Sequence, residues 1–228
     1  MRWRLTVPCL GLAMLGMTAC AGNQPERPTP ADQQLFLSLV RGLQEGGRHN
    51  AALAYLNDYR RSFPGDPEGV LLTAEALLGL GRVTEAAELF SSLTGTAEIA
   101  GRSFWGLGRC YAAVGRWEEA IGFLESASYA NPSDARFLND LGFAHIMVGR
   151  SDLAFHYLAQ AADLAPGDEL IIANFLLAAQ RSGRGELVRD ATSRMGDPDK
   201  REKMEKFLLE WRPNAVRNHS ETSTVVND

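Results

Sequence analysis

Histidine and cysteine are the side chains that most often ligate metals or attack substrates, and this chain has few of them. It contains four histidines and three cysteines in 228 residues. The histidines form no His-Glu-x-x-His motif or similar metal-ligand spacing; they are His49, His145, His156 and His219. Cys110 has no Cys-x-x-Cys partner, which favours a buried small residue over a nucleophile. We therefore expect no catalytic site, no metal and no cofactor.

Cys20 is the cysteine whose surroundings indicate chemistry. It follows two arginines and an apolar run over residues 5–17, which is too short to span a bilayer and is typical of a secretory signal. Residues 17–20, Met-Thr-Ala-Cys, resemble the lipobox of bacterial lipoproteins. The resemblance implies that residues 1–19 are removed as a lipoprotein signal peptide and that Cys20 is lipidated. An ordinary signal peptide cleaved near Ala19 or Ala21 is the alternative.

The residues that follow Cys20 suggest where the protein is held. Ala21, in place of Asp, resembles the outer-membrane sorting signal of Gram-negative lipoproteins, which implies a lipid-anchored protein that faces the periplasm. Residues 20–32 contain three prolines and no apolar periodicity, so they predict a semi-extended, lipid-anchored tether. Without the signal peptide, Cys110 has no disulfide partner in the exported part, whose stability must come from packing.

Charge and composition limit the classes of partner. The formal net charge is −5 at pH 7, with 45% hydrophobic and 22% charged residues. Because nucleic-acid binding requires a dominant basic face, we expect protein partners, no nucleic acid and no small-molecule substrate. After residue 20 no apolar run approaches the roughly 18 residues that a spanning helix needs, so we expect membrane contact through the lipid alone.

A repeat determines the elements that carry the remaining polar residues. A Gly-Arg pair recurs every 34 residues, as Gly47-Arg48, Gly81-Arg82, Gly115-Arg116, Gly149-Arg150 and Gly183-Arg184. Self-similarity at this period predicts a stacked repeat protein. The repeat divides the chain into units 33–66, 67–100, 101–134, 135–168 and 169–202. In each unit we expect a helix A that ends at the glycine and a helix B with acidic residues in its first turn.

Three units close with proline, which cannot continue helix B, and an aspartate two residues later can cap the next helix A. These are Pro64, Pro132 and Pro166 with Asp66, Asp134 and Asp168. The pattern resembles the tetratricopeptide repeat, most fully in units 101–134 and 135–168. The resemblance implies an all-α fold, a right-handed α-solenoid of about five helix pairs. Unit 169–202 is degenerate.

The C-terminal part of the chain departs from the repeat. Residues 199–211 have apolar residues on one helical face and predict a capping helix over the last unit, so that the repeat domain extends over residues 33–211. Residues 213–228 are polar and without periodicity, and predict a disordered tail.

In the tetratricopeptide family, helix A lines an inner, concave face. The corresponding helix A positions of units 101–134 and 135–168 predict a protein-binding groove. Its lining residues would be Arg102, Trp105, Arg109, Arg136, Asn139, Phe143, Ile146 and Met147. Arginine, aromatic residues and methionine are enriched in protein interfaces. Such a groove suits an apolar peptide helix or strand with an acidic residue or C-terminal carboxylate nearby. The alternative is that these side chains pack against neighbouring helices or the C-terminal helix.

The order of lipobox, proline-rich tether and about five repeats resembles the pilus-assembly lipoproteins of Gram-negative bacteria. The segments 139–143 and 174–178 resemble the last repeats of the TadD family of tight-adherence (Flp) pilus proteins in particular. This resemblance implies a non-catalytic outer-membrane adaptor that helps the secretin or its partners assemble. A pilotin-like protein of type IV pili, or a general scaffold for outer-membrane or peptidoglycan machinery, is the alternative hypothesis. An enzyme is a third, and no constellation of residues supports it.

Overall fold

The computed structural model describes residues 29–213, which form helices without any strand. The helices are α1 (Pro30–Glu45), α2 (His49–Ser62), α3 (Pro67–Gly79), α4 (Val83–Leu93), α5 (Ala100–Ala113), α6 (Trp117–Ala130), α7 (Ala135–Met147), α8 (Ser151–Leu164), α9 (Glu169–Arg181), α10 (Gly185–Ser193) and α11 (Pro198–Glu210). Successive helices pack on each other, and each odd-numbered helix from α1 to α7 also contacts the next one. The odd-numbered A helices therefore form one layer of a helix-pair stack, which confirms the predicted all-α solenoid.

The Gly-Arg pairs close the A helices as the sequence predicts. Every glycine of the five pairs has positive φ, from 67° at Gly47 to 80° at Gly183. The arginine that follows sends its backbone N–H back into the helix; Arg116 N, for example, donates to Tyr111 O at 3.0 Å. This bond satisfies a carbonyl that the helix end would otherwise leave unpaired. Because only glycine adopts this conformation without strain, the pair sets the length of helix A.

The side chains of four of these five arginines form salt bridges, in two different arrangements. Arg82 and Arg116 hydrogen-bond to Glu85 and Glu119, three residues further along their own helices. Two other arginines form salt bridges with the preceding repeat. Arg150 pairs with Glu118 at 3.0 Å, and Arg184 pairs with Asp152 at 2.9 Å. The later pairs therefore link adjacent B helices.

Small residues let the helices of a pair approach closely. An alanine recurs at the same place in four of the five B helices and is fully buried, as Ala52, Ala86, Ala120 and Ala154; α10 has Val188 there. Gly108 and Gly142 lie against leucines of the following helix, and a Cβ atom at Gly142 would lie 2.5 Å from Leu158 Cγ. The larger apolar side chains then fill the space between pairs, and this packing provides the stability of the stack.

The helix starts confirm the predicted caps, with one correction. Asp66, Asp134 and Asp168 accept hydrogen bonds from backbone N–H groups of the A helices that they precede. The predicted tether through residue 32 is wrong for residues 30–32, because α1 begins at Pro30. Thr29 and Asp32 form a reciprocal capping box there, and proline suits the first helical position since its missing N–H would be unpaired anyway.

Several predictions concern residues outside the described part. The signal peptide, Cys20, the tether up to residue 28 and residues 214–228 all lie there, and those predictions stay predictions. None of the helices within residues 29–213 combines the length and apolar character that crossing a bilayer requires. The helix predicted over residues 199–211 is α11, which packs on α9 and α10 and buries Leu208.

Candidate functional site

Trp105 on α5 lies at the centre of the layer of A helices. Its indole Nε1 donates a hydrogen bond to Asp140 Oδ2 on α7 at 2.7 Å. The guanidinium carbon of Arg109 lies 4.7 Å from the centre of the Trp105 ring, and that of Arg136 lies 5.1 Å away. Both distances are within the range of cation–π attraction. We call Trp105, Arg109 and Arg136 the tryptophan–arginine cluster.

The predicted groove arginines differ in how fully their charge is compensated. Arg102 forms salt bridges with Glu68 and Glu75 on α3, at 2.7 Å and 3.2 Å, and its guanidinium is therefore already engaged. Arg136 pairs with Asp134 at 2.7 Å. Arg109 is exposed and forms no salt bridge with any residue between 29 and 213. Arg109 therefore retains the donors that could bind a partner's carboxylate in bidentate geometry.

The acidic side of this face is a compact network on α3. Burial alone would raise the pKa of Glu68, but hydrogen bonds from Arg102 and Arg41 hold it below its usual value. Burial raises the pKa of Glu75, and Arg102 opposes that shift. The network therefore fixes Arg102 between two carboxylates and leaves the surface next to Trp105 with the positive charge of Arg109.

Of the predicted groove residues on α7, Ile146 requires a correction. It is 1% exposed and packs in the core with Leu158 and Leu176. It does not line an open groove, because its side of α7 faces the following helix pair. Met147 is half-buried.

Asn139 and Phe143 form part of a cavity rather than an open surface. Asn139 is 6% exposed. The Phe143 ring meets the ring of Trp211, just beyond α11, with centroids 6.5 Å apart. Packing against the C-terminal helix, the alternative in the sequence analysis, therefore applies to Phe143.

A cavity of about 640 Å³ opens between α7, α9 and α11. Its polar lining includes Asn139, Asp140 and Asn174, and its apolar lining includes Phe143, Leu170, Ala173, Met204, Phe207 and Trp211. We call it the C-terminal cavity. Its volume is within the range of about 300–1,000 Å³ typical of ligand pockets. Asp140 and Asn174 are not among the predicted groove residues, although Asn139 and Asn174 lie about one repeat apart and therefore at matching places on two A helices.

His145 and Cys110 lie in the packed interior. The His145 ring is 2% exposed and stacks on Tyr157 with centroids 5.4 Å apart. Neither of its ring nitrogens has a hydrogen-bond partner among the described residues 29–213, and burial lowers its pKa. Burial also raises the pKa of the Cys110 thiol to about 11, so the reactive thiolate is scarce at neutral pH. Among residues 29–213, no three His, Cys, Asp or Glu side chains are grouped as metal ligands would be.

Comparisons with known proteins agree with the stack of helix pairs. A family profile described as tetratricopeptide repeat matches residues 37–99. A search of the curated proteins found no match. Among solved structures, a thermophilic TPR protein from Thermus thermophilus is 25% identical, with a TM-score of 0.65 over 78% of this chain and 99% of that one.

Two further structures are similar in fold alone. MamA from Desulfovibrio magneticus RS-1 is 20% identical, with a TM-score of 0.56 over 76% of this chain and 95% of that one. A chain of the APC/C hetero-tetramer Cut9–Hcn1 is 16% identical, with a TM-score of 0.56 over 64% of this chain and 30% of that one.

Proposed function

We propose that this tetratricopeptide-repeat protein is an adaptor that binds a partner protein on the concave layer of its A helices, through the tryptophan–arginine cluster. The observation that carries the proposal is the exposed guanidinium of Arg109, which lies over the Trp105 ring and has no salt bridge within the described residues. Stacks of helix pairs present extended surfaces of this kind to proteins, and tryptophan and arginine dominate the energetics of many interfaces.

The chemistry of the cluster favours a partner segment that is apolar and carries an acidic group. A carboxylate can accept two parallel hydrogen bonds from Arg109, while an apolar neighbour covers the Trp105 ring. Asp134 already pairs with Arg136. Arg136 would therefore attract an acidic partner at long range rather than donate a bidentate pair of hydrogen bonds to it. Glu68 and Glu75 would repel a second acidic group beyond Arg102, which favours a single acidic group beside the apolar one.

The proposed cellular role is that of an outer-membrane lipoprotein, anchored through Cys20, that assists assembly of a secretin in a tight-adherence pilus system. The order of lipobox, tether and repeats supports this role, as does the resemblance of segments 139–143 and 174–178 to the TadD family. A lipid anchor would hold the concave face close to a channel that assembles in the same membrane. The proposal includes no catalytic step.

The test is crosslinking of the lipidated protein in its native membrane, followed by affinity capture and mass spectrometry. A secretin or another pilus-assembly protein should be captured, and Arg109→Glu should reduce the yield by about tenfold or more, because charge reversal removes the bidentate contact. Arg189→Glu, a reversal of an exposed arginine on α10, is the matched control and should leave the yield unchanged. Equal yields from the two variants would refute the assignment of the cluster.

A further inference from the structure

We infer that the C-terminal cavity is a second subsite of the concave face, which receives a basic side chain of the partner, lysine or arginine, flanked by apolar residues. This inference rests on the proposed function because it names a further chemical feature of the same partner. It concerns different residues from the tryptophan–arginine cluster, so the two can be tested separately.

A directed chain of hydrogen bonds determines the polar end of the cavity. Asp140 accepts from Trp105 Nε1 at 2.7 Å and from Asn139 Nδ2 at 3.1 Å. Because an ionised carboxylate can only accept, Asn139 must turn its amide nitrogen toward Asp140 and its oxygen toward Asn174. Asn174 Nδ2 donates to that oxygen at 2.9 Å. The carbonyl oxygen of Asn174 therefore ends the chain.

Two acceptors at this end still lack a full set of donors. Asn174 is 6% exposed and lines the cavity, and its Oδ1 receives no hydrogen bond from residues 29–213. Asp140 forms no salt bridge with those residues, and each of its oxygens has one neutral donor where a carboxylate offers about four acceptor positions in all. Arg136 lies close enough to Asp140 to interact electrostatically, but its guanidinium is bound to Asp134.

The remaining walls suit the stem of a basic residue and its apolar neighbours. Phe143 and Leu170 line the cavity from the A helices, and Met204, Phe207 and Trp211 line it from α11 and its end. Lysine and arginine bury their hydrocarbon stems against such surfaces while their charged heads reach polar groups. The volume of about 640 Å³ accommodates one long side chain together with part of a neighbouring residue.

Charge decides between the possible ligands. The lining includes four carboxylates and two lysines. The carboxylates are those of Asp140, Glu169, Asp197 and Asp199, and the lysines are Lys200 and Lys203. Lys200 is bound to Glu169. An anionic ligand would face the Asp140 carboxylate directly. A purely apolar ligand would remove water from Asp140 and from Asn174 Oδ1 without replacing the lost hydrogen bonds, which is unfavourable. A cation with an apolar body meets both requirements.

Three probes that share a phenylbutyl chain and differ in the charge of the end group test this directly in the full chain: 4-phenylbutylammonium, 4-phenylbutanol and 5-phenylpentanoate. Binding is followed by NMR through the indole N–H signals of Trp211, which lines the cavity, and of Trp105, which donates to Asp140 at its polar end. The ammonium should bind about tenfold more tightly than the alcohol, and the carboxylate most weakly. Equal affinities, tighter binding of the carboxylate, or no binding of any probe would each overturn the inference.

Variants identify the groups responsible. Asp140→Asn keeps the size of the side chain but removes its charge, so the ammonium should then bind no better than the alcohol. Asn174→Ala provides a second test in case Asp140→Asn fails to fold. It should weaken binding of the ammonium more than binding of the alcohol. Asp163→Asn, on the exposed surface of α8, is the matched control. An ammonium preference that survives both cavity variants would contradict the inference.

Two further experiments test whether a partner segment supplies the basic group. They also distinguish failure of this inference from failure of the proposed function. Acetyl-Leu-Lys-Phe-amide should bind about tenfold more tightly than the same peptide with norleucine in place of lysine, whereas equal binding would refute a basic partner segment. Sedimentation tests whether a second copy of the chain fills the cavity. Self-association that 4-phenylbutylammonium reverses would show this and would contradict the inference, and we expect none. The ammonium preference is measured in the unaltered protein and depends on Asp140 and Asn174, so it should be observed whether or not Arg109→Glu abolishes partner capture in the crosslinking test.

Discussion

Trp105 on α5 donates its indole N–H to Asp140 on α7 across 2.7 Å, and these two residues lie 35 positions apart in the sequence. The edge of the indole is therefore bound to a residue that lines the C-terminal cavity, whereas its face carries the guanidinium groups of Arg109 and Arg136. One side chain thus links the two proposed subsites and fixes their separation. A partner that engages both would need its basic and acidic groups on opposite sides of an apolar residue.

Trp105→Phe should remove this link while retaining an aromatic ring. Because Asp140 would lose a hydrogen bond to its charged group, we expect the free energy of unfolding to fall by about 1–2 kcal/mol, measured by urea denaturation. Trp117→Phe is the matched control, since no hydrogen bond of the Trp117 indole is found within residues 29–213. Equal losses in the two variants would show that the hydrogen bond to Asp140 contributes nothing beyond ring size.

Gly115→Ala should destabilise the stack by about 1 kcal/mol or more, because Gly115 has a φ of 78°, where a side chain is strained. Circular dichroism during thermal unfolding measures the loss. Gly122→Ala, on the exposed surface of α6 with no atom near its added Cβ, should instead stabilise the protein by about 0.5–1 kcal/mol. The opposite signs separate the effect of backbone conformation from that of adding a methyl group.

The stability of the protein should fall as the solution becomes acidic, through His145. Burial lowers the pKa of His145, Arg150 acts in the same direction and Glu118 opposes them. Since the folded pKa lies below the unfolded value of about 6.5, the unfolded chain takes up the proton first, and stability present above about pH 6.5 is lost as the pH falls below it. Denaturant titrations at about pH 7 and about pH 5 should show this loss.

His145→Tyr tests that assignment, because tyrosine stands at the same place in the preceding repeat, as Tyr111. The variant should have a flatter dependence of unfolding free energy on pH. A residual slope should remain from His49, whose pKa is also lowered by burial, with Arg109 acting in the same direction. An unchanged slope in His145→Tyr would exclude His145 as its source.

Cys20→Ser should move the protein from the membrane fraction to the periplasmic fraction, because a serine cannot receive the lipid of a lipoprotein. Fractionation followed by immunoblotting measures the shift. Cys110→Ala, at a buried thiol within α5, should remain in the membrane fraction. Retention of Cys20→Ser in membranes would contradict the lipobox interpretation and, with it, the proposed anchor.

The sequence predicted the helix pairs well because their boundaries depend on local chemistry. Gly115 and Asp134 act on backbone atoms within a few residues of themselves, so their types and spacing are sufficient to predict a helix end and a cap. Pro30 shows the limit of that argument. A proline in a polar segment suggested an extended tether, but the capping box of Thr29 and Asp32 makes it the first residue of a helix.

The candidate site was predicted less completely because it depends on contacts between distant elements. Trp105 and Arg109 lie together on one helix face, as the repeat pattern predicts. Ile146 follows the same pattern but is buried by the next helix pair. The C-terminal cavity also depends on where α11 lies relative to α9, and this placement follows from the packing of Leu208 and Trp211 rather than from any periodic signal.

The arginines of the Gly-Arg pairs differ in whether they contribute to contacts between repeats. Arg116 is bound within its own repeat, whereas Arg150 and Arg184 are bound to the repeat before them. Dissolved ions weaken attraction between exposed charges, and only the second arrangement joins neighbouring coils of the superhelix. The contacts that Arg150 and Arg184 make between repeats should therefore weaken as ionic strength rises, whereas the bond of Arg116 to Glu119 acts within one repeat.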